Sequence, residues 1–280
     1  QKEKGQKRQN QRKNLILSQS IWLVFFMQLQ FYKYQSSGNN FILLDLFSQS
    51  INHNNLIKKL IKDPAIRKSD GILLISKSNK YDFELSFYNP DGSESFCGNG
   101  SLCSLHHLKS NNKIKDVALF TCKGQEYSAK VTSGIKLKMQ DITSYKCFGE
   151  DYFINTGAPH HIKFVNDANN FDIKKEASII RNLPFYEQID CNVNIVSDLG
   201  NGSIYVRTFE KGVERETLSC GTGAVASVIA FSLKKKYNVK KVITKGGELK
   251  VIFQKNKLNE FSNVYLIGNP FLEYEGKIKL

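Results

Sequence analysis

Two stretches of this chain spell the same uncommon word. "NPDGSESFCGNG" ends at Gly100 and "ERETLSCGTG" ends at Gly223. Each sets a cysteine before Gly-x-Gly and a helix-like run, and the two cysteines, Cys97 and Cys220, lie 123 residues apart. A helix start presents unpaired backbone N–H groups and partial positive charge. A thiol placed there is expected to have its pKa lowered from about 8.5 into the range of roughly 3.5–7.5. The glycines remove side chains, so an anion such as a carboxylate can approach the bare N–H groups. One copy makes an activated cysteine or an anion site. Two copies, one from each of two similar halves, make a site with a thiol on either side.

The rest of the pattern repeats as well. From Met27, "MQLQFYKYQSSGNNFILLDL" predicts strand, turn, strand, and residues 52–62 predict a helix ended by Asp63-Pro64. "GILLIS" and "YDFELSFY" follow as strands, the second with Tyr81, Phe83, Leu85 and Phe87 on one face. Leu102, Leu105 and Leu108 then mark a helix after Cys97, with strands near 116–122, 125–132 and 135–139. In the second half, strands are predicted at 151–155, 161–165 and 192–197 and a helix near 174–181. "SIYVRTFE" leads to Cys220 and to "AVASVIAFSL", apolar nearly all round and therefore expected to be buried. The reading is an α/β chain with an internal duplication.

Two thiols facing one carbon suit a particular reaction. Inverting a stereocentre requires one group to remove a proton from one face while another returns a proton to the opposite face, a thiolate as base and a thiol as acid. Helix N-termini aimed at a carboxylate would stabilise the charge that develops. Neither a metal nor any other cofactor is expected. Cys97, Cys103, His106 and His107 match no common zinc spacing.

From Met27 onward the chain resembles the diaminopimelate epimerase family. The resemblance rests on "SSGNNF", "NPDGSESFCGNG", "NTGAPHH", "CNVNIV", "FEKGVERETLSCGTG" and "GNPFLEYEGKIKL", in that order. It implies two pseudo-symmetric halves, each a curved sheet around a central helix, with the active site in the cleft between them. The halves would be 27–140, with 266–280 returning to it, and 141–265. It also implies Cys97 and Cys220 as the acid/base thiols, with His160 and Glu210 assisting proton movement. Gly98, Asn99, Gly221 and Thr222 would hold the α-carboxylate on backbone N–H groups. Asn39, Asn89, Asn192, Glu210 and Lys211 would contact the rest of a diaminopimelate substrate. The implied protein is a cytoplasmic, cofactor-independent homodimer of lysine and peptidoglycan-precursor synthesis. Three positions depart from the family: Asn40 replaces a carboxylate, Lys211 an arginine and Ala158 an asparagine. All three bear on substrate fit, where a lysine offers a point charge instead of a bidentate fork. A related amino-acid racemase with another substrate is the nearest alternative.

Bulk properties bound the other readings. A net charge of +14 invites a nucleic-acid partner, but six Lys/Arg against Glu3 fall in residues 1–26 and the rest is spread among lysine-rich stretches such as "SLKKKYNVKK". That distribution reads as a solvated basic face, with neither nucleic acid nor membrane as partner. Six cysteines in 280 residues do not form a small secreted disulfide framework, which argues against that class and leaves a dithiol redox protein as a further rival. Cys103, Cys122, Cys147 and Cys191 read as structural, and His161 as a strand residue facing away from the site. Residues 1–26, basic then apolar and preceding the first Met, read as a translated upstream leader.

Overall fold

Alternating and continuous apolar runs become strands throughout the computed structural model, which describes residues 28–49, 51–64, 66–235 and 239–279. The leader read at 1–26 lies outside the described residues. The first half runs β1 (Gln28–Ser36), β2 (Asn39–Asp45), α1 (His53–Leu60), β3 (Gly71–Ser76) and β4 (Phe83–Tyr88). It continues through β5 (Glu94–Ser95), α2 (Gly98–Ser110), β6 (Val117–Cys122), β7 (Gln125–Val131) and β8 (Ile135–Lys138). The second half begins with β9 (Lys146–Phe148), β10 (Asp151–Asn155), β11 (Pro159–Phe164), α3 (Ile173–Arg181) and β12 (Asn192–Gly200). After it come β13 (Ser203–Glu210), β14 (Arg215–Thr217), α4 (Gly221–Lys234), β15 (Lys241–Thr244), β16 (Gly247–Lys255), β17 (Phe261–Gly268) and β18 (Phe271–Lys279).

The duplication is topological. In the first half β1 and β2 are antiparallel, β2 runs parallel to β3 across α1, and β4 runs parallel to β6 across α2. In the second, β10 and β11 are antiparallel, β11 runs parallel to β12 across α3, and β13 runs parallel to β15 across α4. Parallel neighbours need a long crossover, usually a helix, so the two cysteine helices occupy equivalent crossovers. A short strand precedes each: β5 pairs with β4, and β14 with β13. The halves join where β17 pairs with β8 on one side and with β16 on the other. At the far edge β18 pairs with β1.

Strands β2 and β3 are covered on both faces, which explains their unbroken apolar runs. In β2 and β3, Phe41, Leu43, Leu73 and Ile75 pack in one core with Leu102, Leu105 and Leu108 of α2. Ile42, Leu44, Ile72 and Leu74 face the other way, against Leu56, Ile57 and Leu60 of α1. The strand face read from Phe83, Leu85 and Phe87 is therefore only half of the story, because Tyr88 is buried against the α1 layer. In the second half Val193, Ile195 and Phe209 pack on Ile173, Ala177 and Ile180 of α3. The residues Gly221–Ser232 of α4 are all buried. Cys103, Cys122 and Cys191 are buried and Cys147 is exposed, so the structural reading fails for Cys147, which sits on the short strand β9.

Two turns stitch the halves beside the site. Gly38, with φ of 83°, ends the β1–β2 turn so close to Gly246 that a Cβ on Gly38 would lie 2.4 Å from the Gly246 Cα. A Cβ on Gly246 would lie 2.0 Å from the carbonyl oxygen of Ser37. Neither backbone can yield without separating the halves. Gly246→Ala is expected to cost about 2–3 kcal/mol by overpacking, lowering Tm by roughly 5–10 °C at about 2–4 °C per kcal/mol. Gly134→Ala, where a Cβ meets nothing within 4 Å, is expected to stay within about 0.5 kcal/mol of the parent. Thermal denaturation followed by circular dichroism checks both.

Candidate active site

The geometry starts from two caps with one conformation. Cys97 is the N-cap of α2 with φ −132° and ψ 116°, and Cys220 is the N-cap of α4 with φ −131° and ψ 114°. Extended backbone at the cap followed by helix leaves the first N–H groups of each helix unpaired within it. The helix starts abut. A Cβ on Gly98 would lie 3.7 Å from the Gly221 Cα, and a Cβ on Gly221 would lie 3.6 Å from the Asn99 backbone nitrogen. Leu266 of β17 wedges beneath both, with its Cδ2 2.9 and 2.8 Å from those two Cβ positions. The Gly98, Asn99, Gly221 and Thr222 segments thus form one electropositive patch where two helix dipoles point at each other.

The sulfurs are held differently. Cys97 Sγ accepts a hydrogen bond from the Gly100 N–H at 3.3 Å. Cys220 Sγ receives the equivalent main-chain N–H, that of Gly223, and in addition lies 3.3 Å from the Thr222 hydroxyl. Each cysteine keeps some surface, yet its sulfur is ringed by protein, and desolvation raises both pKa values: Cys97 to about 12, Cys220 likewise well upward. The Glu210 carboxylate raises both further. The lowered thiol pKa expected from the helix starts is therefore overturned for the ligand-free protein. Burial and a neighbouring anion outweigh the few N–H bonds each sulfur receives.

Glu210 closes β13 and sits between the two sulfurs electrostatically, with a hydrogen bond from Cys220. Burial raises its pKa, and the Thr217 hydroxyl, donating to Oε1 from the paired strand β14, holds it down. His160, buried in β11, does not touch either sulfur directly. Its Nε2 lies 2.9 Å from the Thr222 hydroxyl, so it reaches Cys220 through that threonine. Burial and the nearby Lys211 ammonium lower its pKa to about 3, so it is a neutral imidazole.

The amides divide. Asn39 Oδ1 accepts from Asn99 Nδ2 at 2.7 Å, and the same nitrogen lies 3.4 Å from Ser219 Oγ, linking the β1–β2 turn to both helix starts. Asn99 Oδ1 is buried without a hydrogen-bond partner among the described residues. Asn192 Oδ1 accepts from the Lys211 N–H at 3.0 Å, and Lys211 Nζ donates to the Asp190 carbonyl at 3.2 Å. Asn89 instead folds its amide onto its own turn, donating to Ser93 and Ser95. Asn40, the departure from the family carboxylate, donates its backbone N–H (2.9 Å) and its side-chain amide (3.2 Å) to Asp70, whose charge is felt at Cys97 and Glu210. His161 faces elsewhere, bonded to Tyr186 and Asp151. Among the described residues no group of three or more His, Cys, Asp or Glu has the arrangement to hold a metal ion.

Sequence reasoning missed Thr217, Asn194, Ser219 and Asp70. Thr217 and Ser219 lie inside the second cysteine motif, but their partners depend on strand register, which the motif does not encode. Asn194 alternates with Asn192 in "CNVNIV", and period 2 alone would have placed both on one face.

The fold and the paired caps define a class, the two-half α/β isomerase fold with a cysteine at the start of each central helix. The profile of the diaminopimelate epimerase family matches residues 31–143 and 152–272, one match in each half. The diaminopimelate epimerase of Flavobacterium psychrophilum is 36% identical over 258 residues, covering 89% of this chain and 100% of that protein. The chain belongs to the diaminopimelate epimerase family. Two solved structures share its fold. A PhzF-family phenazine biosynthesis protein from Bacillus anthracis superposes with a TM-score of 0.72 at 13% identity, covering 91% of this chain and 100% of its own. A hydroxyproline epimerase from Agrobacterium vitis, with trans-4-hydroxy-L-proline bound, gives 0.60 at 13% identity, covering 91% and 94%.

The buried neutral histidine has a thermodynamic signature. Unfolded, it would titrate near its usual value of about 6.5, whereas folded it resists protonation down to about 3. Below the unfolded value only the unfolded chain binds the proton, so stability is lost as pH falls from there, by at most about 1.4 kcal/mol per pH unit. His160→Gln is expected to abolish that component. Urea midpoints at pH 7 and pH 5 should lie closer together in the variant than in the parent.

Proposed function

We propose that the protein interconverts LL- and meso-diaminopimelate by proton transfer between Cα and the thiols of Cys97 and Cys220. The observation that carries this reading is the abutment of two helix starts, each capped by a cysteine, inside a chain of the diaminopimelate epimerase family. The substrate's α-carboxylate lies on the N–H groups of Gly98, Asn99, Gly221 and Thr222, where both dipoles stabilise the negative charge that grows as Cα loses its proton. One sulfur, as thiolate, takes the proton from one face. The other, as thiol, delivers its own proton to the opposite face, so the two exchange protonation states with each turnover.

Glu210 is the group that readies a thiolate. A thiol with a pKa near 12 holds almost no thiolate at neutral pH, and a carboxylate whose own pKa is raised by burial is a better acceptor for the Cys220 proton. The substrate's α-ammonium, entering beside the sulfurs, favours the thiolate further. Asn39, Asn192 and Lys211 supply the remaining polar contacts for the distal amino-acid end, with Asn89 joining them only by releasing its own turn. The same reading carries a place in lysine and peptidoglycan-precursor synthesis, a cytoplasmic location and a homodimer, the last checked by sedimentation.

The direct test is incubation with LL-diaminopimelate in D2O, following configuration and deuterium at Cα. Wild-type protein should produce the meso isomer with solvent deuterium incorporated. Cys97→Ala and Cys220→Ala should each lose more than about tenfold in rate, or about 1.4 kcal/mol of barrier, in both directions. Retention of rate by either variant excludes the two-thiol reaction.

Thr217 gives a second prediction. Its hydroxyl stabilises the ionised form of Glu210, so Thr217→Val raises that pKa further. The base must be ionised to act, and the acid limb of the kcat/KM profile should therefore move to higher pH. Thr217→Ser should restore it. An acid limb unmoved by Thr217→Val would separate Glu210 from the rate.

A further inference from the structure

One carbonyl decides the direction of a chain of hydrogen bonds that ends on Cys220. The His161 backbone oxygen lies 3.2 Å from Asn194 Nδ2. A carbonyl only accepts, so the nitrogen of the Asn194 amide, and not its oxygen, must lie on that side. The same nitrogen is 2.9 Å from His160 Nδ1, and the amide oxygen accepts from the Thr208 hydroxyl at 2.8 Å. His160 Nδ1 is therefore an acceptor, and a neutral imidazole with a bare Nδ1 carries its hydrogen on Nε2. Nε2–H points to the Thr222 hydroxyl oxygen 2.9 Å away. That oxygen already accepts from His160, and the Cys220 S–H is given to Glu210, which leaves the Thr222 hydrogen for the Cys220 sulfur at 3.3 Å. Asn192 Nδ2 also lies near Nε2, but at 3.5 Å it is at the limit of contact.

The chain is sealed from water. Asn194 and His160 are fully buried, and Thr208 and Thr222 nearly so. Its geometry is also fixed sterically by the first turn of α4, where a Cβ on Gly223 would fall 2.4 Å from Asn194 Oδ1 and 3.2 Å from Thr208 Oγ1. A buried amide in such a place cannot rotate without stranding donors or acceptors.

We propose that Asn194 is a positioning residue that holds His160 as the Nε2–H tautomer and so aims the Thr222 hydroxyl at the sulfur of Cys220. Donation from Thr222 stabilises the thiolate of Cys220 with no proton leaving His160, which acts as a fixed dipole. The inference rests on the reading that Cys220 exchanges a proton with substrate.

The test is long-range 1H–15N correlation on protein labelled with 15N-histidine at pH 7.5, with His160 assigned by comparison with His160→Gln. Wild-type His160 should show a protonated Nε2 and a bare Nδ1. Asn194→Asp replaces the donor with an acceptor of the same shape, so the hydrogen should move to Nδ1. In diaminopimelate isomerisation its kcat should fall at least tenfold while KM changes less than threefold. Wild-type His160 with its hydrogen on Nδ1 overturns the proposal, and this spectrum decides even if Asn194→Asp does not fold. An unmoved tautomer in folded Asn194→Asp, or a moved one with unchanged kcat, overturns it equally. Absence of isomerisation by the wild-type protein would instead remove the functional reading and leave the tautomer assignment standing.

Discussion

Two helix N-termini meeting head to head is an electrostatic arrangement that a fold does not adopt without support. Like partial charges face each other across Gly98 and Gly221 at near-contact distance, and each helix keeps its first N–H groups unpaired within it. What holds them there is the burial of both helices. The leucines of α2 lie in the same core as the apolar residues of α4, and the Leu266 side chain fills the space beneath both starts. The opposing dipoles are then an unsatisfied potential that an anion relieves. The electropositive patch follows from packing of the two helices and Leu266 beneath it.

The same burial works against the thiols. Desolvation raises the pKa of both sulfurs, and Glu210 adds a negative charge beside them. The helix starts alone do not make activated cysteines in the absence of ligand. Glu210 is drawn two ways, its pKa raised by burial and lowered by the Thr217 hydroxyl.

Much of this was legible in the sequence. The repeated cap motif gave both cysteines and both central helices, and the order of strand and helix runs gave the internal duplication. The all-apolar α4 was readable as buried because no polar stripe interrupts "AVASVIAFSL". What could not be read depends on register and on depth. Thr217 meets Glu210 only because β14 folds back beside the end of β13, and Asn194 meets His160 only because β11 and β12 run parallel in a register that sets Asn192 beside His160 and Asn194 beside Ile162. The direction of the thiol pKa shift failed for a related reason. A motif shows which N–H groups are near a sulfur but not how much protein surrounds it. Asn89 shows the opposite limit, where a polar residue in a binding motif satisfies itself within its own turn.

The two caps share backbone angles to within a few degrees and an equivalent main-chain N–H on the sulfur, from Gly100 and from Gly223, but not their side-chain partners. Cys97 is served by the main chain, through the Gly100 N–H, which no substitution outside that turn can readily change. Cys220 has, besides the Gly223 N–H, a line of side chains from Thr222, His160, Asn194 and Thr208, contributed by four different positions in the second half. A duplicated architecture has thus acquired, at one of its two capping sulfurs, a side-chain support that the other lacks. Substitution along that line can change the surroundings of Cys220 while leaving the Gly100 bond to Cys97 in place.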